Sequence, residues 1–411
     1  MPSWSMDELA QWSGGTWSSR VEVAMDGVSH DTRRLKAGNV YFALKGEKYD
    51  GHDFVDGAFR KGASASVVNR EWHRRHAESG PAIDGKAFLC VDYTSRALRG
   101  VAGAYRRQVG ARMIAVTGSA GKSSVKEMIA GTLATAGKTA SSSGNWNNEV
   151  GLPLSLLAMD RDARLGVFEV GMNHPGELSL LCDVLRPDWG VITNVGPVHI
   201  EFFGSVEAIA EEKATVFRSL PADGTAVLNR DTECFGVLKA AAHGPLVTVS
   251  LQAGADADYR CIARAPGRKE ATVEERASGE QCRLVLGVPG DHNLANALLA
   301  VAVARGHGVS WNDLQAALQL FSPMPMRWQR LEIGGATVIN DAYNANPMSM
   351  RVALKTFSES ESAADKWLVL GGMLELGKIE MKEHEELGRH LSRENWKGLV
   401  VVGSLGGLIA D

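Results

Sequence analysis

Lys122 and Ser123 are the residues in this chain best placed by type and spacing to do chemistry on a phosphate. They follow Thr117-Gly118-Ser119-Ala120-Gly121 and precede Ser124. A lysine at that point can bridge the β- and γ-phosphates of a nucleotide, and the serine hydroxyl can hold Mg²⁺. Glu169 stands in the apolar run Val167-Phe168-Glu169-Val170. A carboxylate there is costly unless it is paired or bound to metal. With a phosphate loop upstream, metal coordination explains it better than an ion pair in the core. His199 and Lys213 are less telling alone. By pattern the first reads as a loop histidine and the second as a solvated helix lysine.

The elements that must position these groups are also legible. Residues 113–117 form a short apolar, β-rich run followed by glycine. From Ser123 onward, Val125, Met128, Ile129 and Leu133 recur at helical spacing. A strand, a glycine loop and a helix in series aim backbone N–H groups and the positive end of a helix dipole at one point, which suits a phosphate. The general Gly-x-x-x-x-Gly-Lys-Ser form would need glycine at 116, and Val116 is there. Strands followed by helices recur downstream, predicting a mostly parallel α/β sheet with ligands at the carboxyl ends of its strands.

Composition narrows the class. The length of 411 residues, with 45% hydrophobic and 22% charged residues, fits a soluble protein of several domains. A net charge of −4 offers no broad basic surface, so nucleic acid is not expected as a partner. The five cysteines are scattered without metal-site spacing, which fits a reducing cytoplasm. No apolar run approaches the roughly 18 residues that span a bilayer, so no membrane insertion is expected. Boundaries are expected near residues 108/109 and 321/322, the second at Ser322-Pro323-Met324-Pro325.

Several runs together resemble the Mur ligase family of bacterial cell-wall enzymes. They are Thr117–Ser123, the loop Gly144-Asn145-Trp146-Asn147-Asn148, the run Glu169-Val170-Gly171-Met172-Asn173-His174 continued to Glu177, and Asp341-Ala342-Tyr343-Asn344-Ala345-Asn346-Pro347-Met348-Ser349-Met350. The last looks most like the branch of the family that adds D-alanyl-D-alanine. Near the amino end, Asp31-Thr32-Arg33, Lys45-Gly46 and Asp50-Gly51-His52 resemble that family's nucleotide-sugar signature.

The resemblance implies three domains. A small α/β domain, residues 1–108, would hold the UDP-sugar through Asp31, Thr32, Arg33, Lys45, Gly46 and His52. A central P-loop-type domain, residues 109–321, would bind ATP through Gly118, Ser119, Ala120, Gly121, Lys122, Ser123 and Ser124, with Asn296 at the adenine. Ser123, Glu169 and His199 would hold two Mg²⁺, Lys213 would be carbamylated by CO₂, and Asn147 and Asn148 would border the reaction centre. A Rossmann-like third domain, residues 322–411, would bring Arg327 to the phosphates, Asp341 to the ribose or metal network, and Tyr343, Asn344 and Asn346 to the amine substrate.

The implied reaction is ATP-dependent joining of D-alanyl-D-alanine to UDP-N-acetylmuramoyl-tripeptide by a cytoplasmic monomer. Gly372 stands where the family usually has aspartate. Family members run on past residue 411, so an incomplete third domain with an uncovered strand edge or apolar face is expected. Another amide ligase of the family, or a catalytically silent binder of the UDP-substrate, are the alternatives.

Overall fold

The computed structural model describes residues 2–20, 24–79, 86–264, 269–359 and 365–410. The chain forms two units. One comprises Met1–Met113, Lys138–Val170 and Leu180–Arg186, and the other Ile114–Gly137, Gly171–Ser179 and Pro187–Asp411.

In the first unit a sheet runs in the order Thr16–Trp17, Phe88–Val91, Ala65–Asn69, Val40–Phe42, Val28–Ser29. Its first pair is antiparallel and the rest are parallel. Val40–Phe42 and Phe88–Val91 are buried throughout, as expected for parallel strands covered on both faces. Tyr41, Val55, Val68 and Phe88 form a core that Leu35, Phe59 and Trp72 close. Helix Thr94–Gln108 buries Leu98, Val101 and Tyr105, and the Tyr105 hydroxyl donates to the carbonyl of Met159 at 2.6 Å. The strand Leu165–Glu169 pairs in parallel with Thr139–Ser141. Two helices near the amino end are among the elements that the sequence reading did not give. Helix Met6–Ser13 opens with a Ser5–Glu8 capping box, and Arg70–Ser79 is a helix of low mean hydropathy.

In the second unit the carboxyl part of strand Arg112–Thr117 pairs in parallel with Trp189–Ile192, which pairs with Thr225–Asn229, and that with Leu246–Ser250. The sheet ends in the antiparallel strands Tyr259–Arg264, Glu270–Glu275 and Glu280–Val285. These last strands carry mixed polar and apolar side chains, which is why residues 245–285 gave no clear pattern. Helix Asp291–Gly306 is buried along most of its length and packs on helix Lys122–Leu133.

The chain beyond residue 321 belongs to the same unit. An antiparallel hairpin, Gln329–Ile333 with Ala336–Asn340, turns at Gly334 and Gly335, both at positive φ. A parallel pair, Trp367–Leu370 with Gly398–Val401, is accompanied by helices Pro347–Ser358, Glu380–Leu391 and Gly403–Ala410. Residues 403–410 read as a tail in the sequence, yet Leu405, Leu408 and Ile409 fall at helical spacing. Gly388 allows this helix to lie close, since a β-carbon there would meet the Ile409 carbonyl at 2.3 Å. Trp367, Val369, Val400 and Val402 are exposed on and beside the parallel pair. Among the described residues, no helix is long and apolar enough to cross a membrane.

Candidate active site

The glycine loop lies where strand Arg112–Thr117 gives way to helix Lys122–Leu133. Gly118 has φ +148°, and a β-carbon on it would come within 1.9 Å of the Thr193 hydroxyl. Gly121 has φ +80° and is the N-cap, with no side-chain hydrogen bond capping the helix. Both positions therefore need glycine. The loop is stitched to residues 193–196, which follow the neighbouring strand. Asn194 Oδ1 accepts from the Ala120 N–H at 2.9 Å. The Asn194 amide and the Thr193 hydroxyl both donate to the Ala120 carbonyl. Ser119 Oγ donates to the Gly196 carbonyl and accepts from the Gly196 N–H. Lys122 folds back so that Nζ donates to the Gly118 carbonyl at 2.9 Å. Ser123 is buried and Ser124 half-buried. A rigid glycine loop, a helix amino end and a lysine drawn over both fit a bound phosphate.

Thr193 and Asn194 were not singled out from sequence. Their signal was the parallel register. Thr117 pairs with Ile192, so the residues just after each strand emerge side by side. Asn296 also belongs to this cluster. It is 6% exposed, and its amide is packed so that a β-carbon on Gly121 would meet Oδ1 at 2.7 Å.

Lys213 is not the solvated lysine that its pattern suggests. It is 3% exposed within helix Val206–Arg218, which starts at the expected Ser205 cap. Burial holds its ammonium well below the usual lysine range, and the charge of Lys122 pushes the same way. Its neighbour Glu212 accepts from the N–H groups of Gly176 and Leu178, at the start of helix Glu177–Leu185.

His199 has left-handed backbone, φ +60°, and precedes the short helix Ile200–Phe203. Its Nδ1 is hydrogen-bonded to the Glu375 carboxylate, a partner that the sequence gave no means of finding. Burial keeps the imidazole toward its neutral form. His199, Glu375, Asn344 and Asn346 line one cavity of about 220 Å³ with Val198, Ala345, Leu374 and Leu376. Asn346 also caps helix Pro347–Ser358 through a reciprocal bond with Ser349. Asn344 Oδ1 accepts from the Ala345 N–H. Nearby in sequence, the Arg327 guanidinium lies 4.0 Å from the centroid of the Tyr343 ring. Asp341 Oδ1 accepts from the Trp328 N–H at 2.8 Å.

In the first unit, Glu169 is 1% exposed at the end of its strand, and Oε1 accepts from the Asn147 amide at 2.7 Å. Asn148 Oδ1 accepts from the N–H groups of Val150 and Gly151, starting helix Gly151–Leu157. The nucleotide-sugar candidates form a second group. Asp31 takes both Nε and Nη2 of Arg33, which pulls its carboxyl down to about 2. Thr32 is half-buried, and its carbonyl accepts from Lys61. Lys45 and Gly46 are exposed on the turn closed by Asp50. His52 is buried and uses both ring nitrogens internally. Nε2 accepts from the Asn69 N–H, so Nδ1 carries the proton and donates to Asp50 at 2.6 Å.

This organisation recurs in known proteins. Residues 24–99 match the model of the Mur ligase family, catalytic domain, residues 116–304 the Mur ligase middle domain, and residues 326–408 the Mur ligase, glutamate ligase domain. The UDP-N-acetylmuramoyl-tripeptide–D-alanyl-D-alanine ligase of Bacillus subtilis is 34% identical over 95% of this chain and 82% of its own length. The crystal structure of MurF from Acinetobacter baumannii superposes with a TM-score of 0.89, at 27% identity, over 100% of this chain and 88% of that one. The MurF ligase of Thermotoga maritima, solved in complex with ADP, gives a TM-score of 0.79 at 26% identity, over 94% and 86%. With this loop, this order of domains and this depth of likeness, the chain belongs to the Mur ligase family and is of its MurF type.

Proposed function

We propose that this chain is an ATP-dependent ligase that joins D-alanyl-D-alanine to the terminal carboxylate of UDP-N-acetylmuramoyl-tripeptide, in the cytoplasmic synthesis of peptidoglycan precursors. The observation that carries the reading is the glycine loop locked to residues 193–196 with Lys122 folded across it. The relatives named above supply the substrates. The chain is taken to work as a monomer of three domains, dividing near residues 108/109 and 321/322.

The tripeptide carboxylate attacks the γ-phosphorus of ATP, and ADP leaves. The dipeptide amine then attacks the acyl phosphate carbon, loses a proton and expels phosphate, leaving an amide. Lys122 and the N–H groups of residues 118–124 are assigned to the phosphates, where positive charge counters what develops in the transition state. Asn296 is assigned to the adenine, Arg327 to the phosphates and Asp341 to the ribose or the metal network. Ser123, Glu169 and His199 are the residues that would hold Mg²⁺, which supplies Lewis-acid charge on the phosphate oxygens. Mg²⁺ binds through few protein groups together with water and phosphate, and the buried Glu169 beside the Asn147 amide suits that role. Lys213, a buried amine held toward its neutral form, is suited to carbamylation. Asp31, Thr32, Arg33, Lys45, Gly46 and His52 are assigned to the UDP-sugar end, with His52 acting through the loop that it fixes. Tyr343, Asn344 and Asn346 are assigned to the dipeptide, and Asn147 and Asn148 to the reaction centre.

Mass spectrometry of the UDP-linked product tests the assignment. Enzyme, ATP, Mg²⁺ and UDP-N-acetylmuramoyl-tripeptide are combined with D-alanyl-D-alanine, D-glutamate, L-glutamate or diaminopimelate. Only the dipeptide is expected to give a product, heavier by the dipeptide less one water. A product with one of the other amines instead would move the chain to another branch of the family.

A further inference from the structure

The contact between His199 and Glu375 joins side chains 176 positions apart in the chain. Both residues carry a β-carbon and both have left-handed backbone, with φ of +60° and +61°. Such backbone is disfavoured for residues other than glycine and concentrates at functional sites. Both side chains line the same cavity, with Asn344 and Asn346. Among the described residues, the remaining ring nitrogen, Nε2, makes no hydrogen bond.

We propose that Glu375 is a positioning residue for His199: its carboxylate accepts the Nδ1–H, fixes the tautomer with the lone pair on Nε2, and presents that nitrogen to the cavity as a ligand for a divalent cation. This rests on the reading of His199 as a metal ligand. A histidine that binds metal through one nitrogen commonly donates the other N–H to a carboxylate, which fixes the ring and raises its basicity. Glu375 arrives on the loop between strand Trp367–Leu370 and the turn Gly377–Ile379. The ligand is therefore oriented by a residue from the third domain, and a competent His199 requires that domain to be docked.

The docking itself does not hang on Glu375. Gly377 lies against Glu201, where a β-carbon would be 3.2 Å from the Glu201 β-carbon. Gly196 lies against Met348, whose methyl would be 2.3 Å from such an atom. Glu375 is 41% exposed in its side chain. The Glu375→Ala variant is therefore expected to fold.

The test uses the full chain with ¹⁵N-labelled histidine, the His199 signals being assigned by their loss in His199→Ala. In the unaltered protein His199 is expected in the Nδ1–H form, and in Glu375→Ala it should revert toward the Nε2–H form. Mn²⁺ affinity, read by electron paramagnetic resonance with ADP bound, should fall about 10–100-fold in Glu375→Ala. It should fall less in Glu375→Gln, whose amide oxygen still accepts the proton. If His199→Ala weakens Mn²⁺ binding but Glu375→Ala changes neither tautomer nor affinity, the positioning role is wrong while the metal reading stands. A tautomer change without an affinity change overturns it as well. Unaltered Mn²⁺ affinity in His199→Ala removes the metal reading, and the proposal with it.

Discussion

Alanine in place of Lys122 is expected to cut ATP-dependent ligation roughly 10²–10³-fold, the range seen when one preorganised charge-stabilising donor is removed from an active site. The loop geometry explains why the loss should be specific. The Gly118 carbonyl holds Lys122 Nζ at 2.9 Å, so the ammonium is already in place when nucleotide arrives and little reorganisation is needed. The fold should tolerate the change. The loop is held by Ser119, Ala120, Thr193 and Asn194 independently of Lys122, and one lost hydrogen bond of this kind costs about 1 kcal/mol. Steady-state turnover and thermal unfolding measured on the same preparation separate the two effects. A loss of less than tenfold, or a loss that tracks unfolding, would remove Lys122 from its assigned role.

The second large effect is expected at Lys213. Replacing it with methionine should lower turnover about 10²-fold. In the unaltered enzyme, stripping CO₂ from the buffer should depress activity and bicarbonate should restore it, with Lys213→Met blind to both. The physical basis is that a buried amine beside Lys122 loses its proton readily, and a neutral amine adds CO₂ to give a carbamate and a proton. An anion then occupies a position where a cation would be repelled. Stability gives an independent readout in CO₂-free buffer. The folded pKa lies below the unfolded value of 10.5, so between the two the unfolded chain binds one more proton. Stability should therefore rise with pH across that window, as linkage requires, and Lys213→Met should lose this slope. ¹³C NMR with labelled CO₂ would detect the carbamate directly. Its absence, together with turnover indifferent to CO₂, would leave Lys213 as a buried lysine without this chemistry.

The sequence revealed most where the determinants are local. A strand, two glycines and a helix within about twenty residues specify the glycine loop assigned to the phosphates. The cost of a carboxylate in an apolar run marked Glu169, which is the buried residue that it was expected to be. Ser205 was legible as a helix cap for the same reason. Lys213 was not legible from its own helix, because Glu211 and Glu212 precede it and the stretch reads as solvated. Its burial depends on what packs against the helix. The partnership of His199 with Glu375 was invisible because nothing local links two loops so far apart. Asn346 shows the opposite case. Asn346-Pro347 followed by Ser349 is a capping signal, and the structure realises it alongside the place of Asn346 in the cavity wall. At the carboxyl end, three glycines in residues 403–410 hid a helix whose apolar spacing was nonetheless present.

The measurement that bears most directly on the whole account is phosphate release from ATP and Mg²⁺ by this 411-residue chain, with UDP-N-acetylmuramoyl-tripeptide and D-alanyl-D-alanine supplied separately and together. Sustained release that requires both substrates, in step with amide formation, is the predicted result. Tight binding of the UDP-substrate with no phosphate released in any combination would contradict it.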